Sequence, residues 1–421
     1  MSAYLQIFGH KASGRRISID LPGSKSIISR LLMMAALEKQ AFDPVILNRE
    51  AEDTMYMYNV LSRITVSPEN LGMIELDCGN AGTVVRMASL FAALKGGRYR
   101  ISGTFAMERR PVDELAMLLE QAGTSVQFLR KKGFLPMILD SKGIKGNHFR
   151  LTADVSSQHI SGLLLVAPFI QGGVTITLEG EVVSKPYIDL TIKMMQQAGA
   201  AVSQSGNAIT VQHGHYPSLR MAWDADWSSA AFFYQAAAMM PVPVSFLLKD
   251  LHLRGLQGDE AAAELFRQLG VTTKATNSGI VIRNSGKKNQ IIHADFTHCP
   301  DLFNAFATAA AFANRPATLT GIRNLRHKES NRLEAITHQL KHPGFTLSED
   351  GNTLSIQPYT YPADSGFTFS SWLDHRVAAS LAMVGLIFPA RLEHPFVTGK
   401  SFPGFYEQFQ DFARFSINPT T

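Results

Sequence analysis

Apolar positions along this 421-residue chain recur in a fixed order: a segment apolar almost all round, a segment apolar on one face, then brief alternating stretches. Segments of the first kind begin at Ser24-Lys25-Ser26 (running into Leu31-Leu32-Met33-Met34-Ala35-Ala36), at Gly79-Asn80-Ala81-Gly82-Thr83, at Ser156-Ser157-Gln158, at Asp226-Trp227-Ser228-Ser229, at His298-Cys299-Pro300-Asp301 and at Asp374-His375-Arg376. A helix with no polar face is a buried helix. Those of the second kind, such as Glu114-Leu115-Ala116-Met117-Leu118-Leu119-Glu120, predict amphipathic helices. Three of them stop at Ala122-Gly123, Ala198-Gly199 and Leu269-Gly270, where glycine supplies a left-handed C-cap. Beyond the stops, Ala201-Val202-Ser203 and Ile209-Thr210-Val211 flank Ser205-Gly206-Asn207, and Val271-Thr272-Thr273 and Ile280-Val281-Ile282 flank Asn277-Ser278-Gly279. This spacing predicts hairpins. The repeating unit is thus buried helix, amphipathic helix and short strands, and about six copies fill the chain.

Six such units exceed one core, since single cores seldom grow beyond roughly 250–300 residues, and two globular halves are expected. An apolar content of 45% with a mean hydropathy of zero argues against disorder. No run of eighteen apolar residues marks a membrane span, and Met1-Ser2-Ala3-Tyr4-Leu5-Gln6 does not open a signal peptide. Cys78 and Cys299 are too few and too far apart for a disulfide framework or a CxxC motif, so a cytoplasmic protein is expected. The net charge of +5 is spread over short runs, Arg15-Arg16, Arg130-Lys131-Lys132 and Lys287-Lys288, which read as solvated loops and not as a nucleic-acid surface.

A second set of cations lies beside the helix starts: Lys25, Arg30, Arg86, Arg110, Lys328, Arg332, Arg376 and Lys400. Helix N-termini attract anions through unpaired N–H groups and the helix dipole, so a cation there makes a phosphate or carboxylate site. Pro22-Gly23-Ser24-Lys25-Ser26 lacks the GxxxxGK spacing of a nucleoside triphosphate loop. Two carboxylates stand out as proton-transfer candidates: Asp301, after Pro300 at the start of a buried helix, and Glu329, between Lys328 and Arg332. Trp223, Trp227, Phe232-Phe233-Tyr234, Phe303, Phe306 and Phe312 read as core. His375 reads as a structural residue beside Arg376, since no second histidine stands at ligand spacing.

In order along the chain, Pro22-Gly23-Ser24-Lys25-Ser26-Ile27-Ile28-Ser29-Arg30, Gly79-Asn80-Ala81-Gly82-Thr83-Val84-Val85-Arg86, Arg110-Pro111, Ser156-Ser157-Gln158, Ser184-Lys185-Pro186-Tyr187, His327-Lys328-Glu329-Ser330-Asn331-Arg332, Asp374-His375-Arg376 and Gly399-Lys400-Ser401-Phe402-Pro403 resemble the motifs of the 5-enolpyruvylshikimate-3-phosphate synthase family. The family transfers the enolpyruvyl group of phosphoenolpyruvate to the 5-hydroxyl of shikimate 3-phosphate, by addition and elimination through a tetrahedral intermediate, on the way to chorismate and the aromatic amino acids. The resemblance implies an α/β fold of two similar domains, each of three βαβαββ repeats with buried helices and outer sheets, an inside-out α/β barrel. Residues 1–23 with 226–421 would form one domain and 24–225 the other, with the active site in the cleft between them. It implies no cofactor and no metal, no nucleic-acid or membrane partner, and a monomer.

By motif match, the resemblance implies that shikimate 3-phosphate is held by Lys25, Ser26, Arg30, Ser156, Ser157, Gln158, Ser184, Tyr187, Asp301, Asn324 and Lys328. Phosphoenolpyruvate would be held by Lys25, Asn80, Gly82, Arg110, Gln158, Arg332, Arg376 and Lys400. Asp301, Glu329 and Lys25 would carry the chemistry. Three departures are visible: Met87 follows Arg86 where the family commonly has proline, Asn331 precedes Arg332 where it has aspartate, and the segment from Thr65 to Leu76 is short for the usual strands. Three other readings stand beside this one, among them an RNA-processing cyclase of related architecture, which would need a nucleophilic histidine motif and stronger basic stripes than this chain carries. A degenerate family member would bind metabolite without turnover, and the sister enzyme acting on UDP-N-acetylglucosamine would carry a cysteine shortly before its Arg-Pro pair. Here Thr104-Phe105-Ala106-Met107-Glu108-Arg109 precedes Arg110-Pro111.

Overall fold

A computed structural model of the chain describes residues 3–11, 16–40, 51–66, 72–152, 157–180, 182, 185–219, 224–360 and 366–419. The chain divides into two compact units, Met1–Ser24 with Asp224–Thr421, and Lys25–Trp223. Where the chain leaves the first unit and where it returns, the two stretches are bonded: Ser24 N–H donates to the Asp224 carbonyl and Asp226 N–H to that of Pro22, with a bridge between Gly23 and Ala225.

The inserted unit contains helices α1 (Lys25–Leu37), α2 (Glu52–Val66), α3 (Gly82–Lys95), α4 (Phe105–Glu108), α5 (Asp113–Gln121), α6 (Gln158–Val166) and α7 (Lys185–Gln197). The returning segment adds α8 (Trp227–Met239), α9 (Ala262–Leu265), α10 (Phe303–Ala311), α11 (Arg332–Lys341) and α12 (His375–Val384) to the first unit. Five four-stranded sheets are seen among the described residues, two in the inserted unit and three in the first. All five share one plan, a parallel pair followed by two antiparallel strands. His148–Thr152 runs parallel to Val174–Glu179, which pairs antiparallel with Ala208–Val211 and through it with Val202–Ser205. The buried α6 joins the parallel strands and the amphipathic α7 leads to the hairpin, which is the βαβαββ order that the family resemblance implies.

Strand alternation puts the sheets outside and the helices inside. Phe149 and Leu151 are buried, whereas His148, Arg150 and Thr152 face solvent. Every residue of α8, α10 and α12 is buried, and these three helices pack on one another as the core of the first unit, with Phe232, Phe233, Tyr234, Phe303 and Phe306 inside it. Trp227 is buried as expected, while Trp223 lies outside the described residues. Gly123, Gly199 and Gly270 adopt φ of +80°, +93° and +82°, the left-handed stops foreseen. One expected amphipathic helix differs. Before Leu269-Gly270 the chain forms a 3-10 turn (Gly258–Ala261), the short α9 and a second 3-10 turn (Phe266–Leu269). Glu260 there accepts from the N–H groups of Gly255, Leu256 and Gln257, and Ser228 hydrogen-bonds Asp259, so side chains on consecutive residues are committed outside the helical ladder. Among the described residues no helix is long and apolar enough to cross a membrane.

Candidate active site

In the inserted unit the candidate residues stand at the starts of α1, α3, α6 and α7. Lys25 opens α1, and its Nζ is 2.9 Å from Oδ2 of Asp53, in the first turn of α2. Arg30, one turn further along α1, is buried and clamps three helices. Its Nε donates to Thr191 Oγ1 on α7 at 2.7 Å, Nη1 to the Ser26 carbonyl at 2.8 Å, and Nη2 to Ser161 Oγ on α6 at 3.0 Å and to the Tyr187 carbonyl at 2.9 Å. Burial lowers its pKa to about 10, and among the described residues no carboxylate forms an ion pair with it. Such a guanidinium favours a bound anion.

The second cluster sits where Asn80-Ala81-Gly82-Thr83 turns into α3. Gly79 has φ +56°, and a Cβ there would lie 2.4 Å from the Tyr56 ring, so only glycine fits this turn. A Cβ on Gly82 would lie 2.8 Å from Arg110 Nη2 and 3.0 Å from Arg86 Nη1, which shows both guanidinium groups drawn over the N-terminus of α3. Arg86 donates to the carbonyls of Gly82 and Pro111. Asn80 keeps a buried Oδ1 with no hydrogen-bond partner among the described residues. Gln158 Nε2 donates to Thr83 Oγ1 at 2.9 Å, which ties the start of α6 to that of α3. Met87 is fully buried within α3, and the helix runs through it from Gly82 without interruption. Ser26 and Tyr187 are half-buried, and Ser157 is buried at the N-cap of α6. Ser156 and Ser184 lie outside the described residues.

In the first unit the network is centred on Arg332, 1% exposed at the start of α11. Its Nε donates to Asp374 Oδ2 at 2.9 Å, Nη1 to Asp301 Oδ1 at 2.7 Å and Nη2 to Glu329 Oε2 at 2.6 Å. Both candidate carboxylates have a further cation on the other oxygen: Arg376 Nη2 is 3.0 Å from Asp301 Oδ2, and Lys400 Nζ is 3.0 Å from Glu329 Oε1. Burial alone would raise the pKa of Asp301, but Arg376, Arg332 and Lys328 together hold it far below the usual carboxylate range. Three carboxylates more than offset the effect of burial on Arg332 and raise its pKa. Burial lowers the pKa of Lys328, with Asp301 opposing and Arg332 reinforcing the shift. Asn324, in the 3-10 turn Arg323–His327, has a buried Nδ2 with no partner among the described residues.

Several partners of the candidate residues, in one unit or the other, escaped the sequence reading. Asp53, the partner of Lys25, carries no motif and reaches it only through the packing of α2 on α1. Asp374 was visible as a helix start, and its Oδ1 does accept from Arg376 N–H at 2.8 Å. Its hold on Arg332 and Ser330 depends on the fold. Asp259 was not singled out at all. It is buried, bonded to Ser228, and pushed up to about 7 by burial and by Asp301, against the pull of Arg376. Asn331 caps α11, accepting from Glu334 N–H at 3.2 Å. The orientation of Arg332 comes instead from Asp301, Glu329 and Asp374, so a charge at position 331 is not what holds it.

The chain is 32% identical to a 3-phosphoshikimate 1-carboxyvinyltransferase of Bacteroides fragilis (strain YCH46), covering 94% of this chain and 95% of that protein. It is also 32% identical to one of Ralstonia pickettii (strain 12J), with 94% and 96% covered. A solved structure of EPSP synthase from Acinetobacter baumannii shares the fold with a TM-score of 0.75 at 22% identity, over 99% of this chain and 100% of that one. Residues 13–409 match the family model described as EPSP synthase (3-phosphoshikimate 1-carboxyvinyltransferase), and with this match and these relatives the chain belongs to the EPSP synthase family.

Proposed function

We propose that this chain transfers the enolpyruvyl group of phosphoenolpyruvate to the 5-hydroxyl of shikimate 3-phosphate and releases inorganic phosphate. Beyond family membership, the observation that carries the reading is the Arg332 network: two carboxylates share one buried guanidinium, and each has a second cation on its far oxygen.

In the addition step the 5-hydroxyl oxygen bonds to C2 of phosphoenolpyruvate, the C2–C3 double bond takes a proton at C3, and the hydroxyl proton passes to a base. In the elimination step C3 gives a proton back and the C2–O bond to phosphate breaks, its electron pair leaving with the phosphate. Asp301 is assigned the hydroxyl proton, Glu329 the proton at C3, and Lys25 the hydroxyl and departing phosphate. Arg332, Arg376, Lys400, Arg110 and Asn80, with room left at Gly82, would receive phosphoenolpyruvate. Ser26, Arg30, Ser156, Ser157, Gln158, Ser184, Tyr187, Asn324 and Lys328 would receive shikimate 3-phosphate.

The ion pairs supply a physical route to the required basicity. A carboxylate gripped by two arginines is a weak base. Phosphoenolpyruvate brings a carboxylate and a phosphate of its own. As Arg332 and Arg376 turn toward these anions, Asp301 loses part of its compensation and gains proton affinity as substrate arrives. The reading carries two further expectations, a cytoplasmic location and a monomeric enzyme.

Phosphate release tests it. The purified chain with phosphoenolpyruvate should release phosphate when shikimate 3-phosphate is supplied and not when UDP-N-acetylglucosamine is. Binding of shikimate 3-phosphate without release in either tube would overturn the reading in favour of a non-catalytic family member.

A further inference from the structure

The stretch at which the chain leaves the first unit, residues 22–24, and the one at which it returns, residues 224–226, are joined by two backbone hydrogen bonds and a bridge. A residue far from both in sequence ties them from the side. Gln257 is buried on the loop before the 3-10 turn Gly258–Ala261, and its amide reaches three partners. Oε1 accepts from Ser24 Oγ at 2.9 Å and from the N–H of Trp227, the first residue of α8, at 3.1 Å. Nε2 donates to the Ala225 carbonyl at 2.8 Å. Ser24 itself is fully buried.

The partners fix which way the amide points. Trp227 N–H can only donate and the Ala225 carbonyl can only accept, so the oxygen faces the start of α8 and the nitrogen faces the returning stretch. Glutamate, of the same shape, would turn a carboxylate oxygen toward the Ala225 carbonyl, and leucine would remove all three bonds. The loop that carries Gln257 is held as well, because Glu260 accepts from the N–H groups of Gly255, Leu256 and Gln257 at 2.8, 2.8 and 3.0 Å. A side chain anchored at its backbone and at its tip acts as a strut.

We propose that Gln257 is a positioning residue for Lys25. Through the buried Ser24 hydroxyl it fixes the backbone from which Lys25 opens α1, and through Ala225 and Trp227 it ties that backbone to the start of α8. The inference rests on the role assigned above to Lys25, at the hydroxyl and the departing phosphate. Gln257 and Ser24 act only through Lys25. Their effect on rate follows from placement, since displacing a reacting group by about 1 Å can cost on the order of 100-fold.

The test compares the full chain with Ser24→Ala, Ser24→Thr and Gln257→Leu by phosphate release, urea unfolding and amide hydrogen exchange at residues 23–26 and 225–227. Ser24→Ala removes one hydroxyl and leaves the bonds of Gln257 to Ala225 and Trp227 in place. Its unfolding midpoint should stay near that of the wild type while kcat falls by roughly tenfold or more. Ser24→Thr keeps the hydroxyl and should restore most of the rate. Gln257→Leu should lose at least as much as Ser24→Ala, and the double variant no more than Gln257→Leu alone, because both substitutions break one strut. Wild-type kcat in Ser24→Ala overturns the inference, as does a fall that threonine does not restore. If the wild type itself releases no phosphate, the functional reading has failed and hydrogen exchange decides the inference: faster exchange at both stretches in Ser24→Ala supports it, and wild-type rates overturn it.

Discussion

At the scale of single residues, charge compensation decides what each candidate can do. Glu329→Gln keeps the shape and one acceptor but removes the charge that pairs with Arg332 and Lys400. Turnover in the phosphate-release assay should fall by roughly 100-fold or more, the usual contribution of a proton-transfer group. Near-normal turnover would remove Glu329 from the chemistry. Asp259 makes a prediction of a different kind. Burial and the neighbouring Asp301 push its pKa up to about 7, against Arg376 and the Ser228 hydroxyl. Its folded-state pKa lies above the unfolded value of 3.8, so its contribution to stability is fully present below that value and is lost as pH rises through about 7. In urea unfolding from pH 4 to 8, the wild type should lose stability relative to Asp259→Asn as pH rises. Parallel profiles for the two proteins would show that Asp259 does not titrate in this range.

At the scale of elements, helix starts carry the function and side-chain clamps hold them in register. Arg30 joins α1, α6 and α7 by four hydrogen bonds. Lysine offers one point charge in place of a fork and cannot keep all four bonds, the one to Thr191 Oγ1 on α7 among them. Arg30→Lys should cost roughly 2–4 kcal/mol in denaturant unfolding; a loss within experimental error would mean that the clamp is not needed for stability. The elements most legible in the sequence were those with local causes: the glycine stops, the hairpin around Gly206, and the buried helices with no polar face. The segment Gly258–Leu269 was misread because its apolar spacing is helical, while the commitments of Asp259 and Glu260 are made to residues outside that spacing.

For the whole molecule, the proposed residues for shikimate 3-phosphate come from both units: Lys25, Ser26 and Arg30 from one, Asp301, Asn324 and Lys328 from the other. If one ligand engages both sets, its binding should slow amide hydrogen exchange at the start of α1 and in the turn Arg323–His327 together. Protection confined to a single unit would count against a shared site. At a hundredfold excess over its dissociation constant, the ligand should also stabilise the folded chain by about 2.7 kcal/mol, read as a rise in unfolding temperature.

By itself the sequence determined the repeat, the order of buried and amphipathic helices, the helix stops and the family. These follow from side-chain periodicity and from motifs contiguous along the chain. The tertiary structure alone decided the partners. Asp53 meets Lys25 across 28 positions, Asp301 meets Arg332 across 31, and Arg376 meets Asp301 across 75. No local pattern encodes these distances, because each pairing is set by the packing of helices whose buried faces are nearly uniform in composition. The same holds for Asp259, whose proton affinity comes from burial and neighbouring charge, and for Gln257, which meets Ser24 across 233 positions.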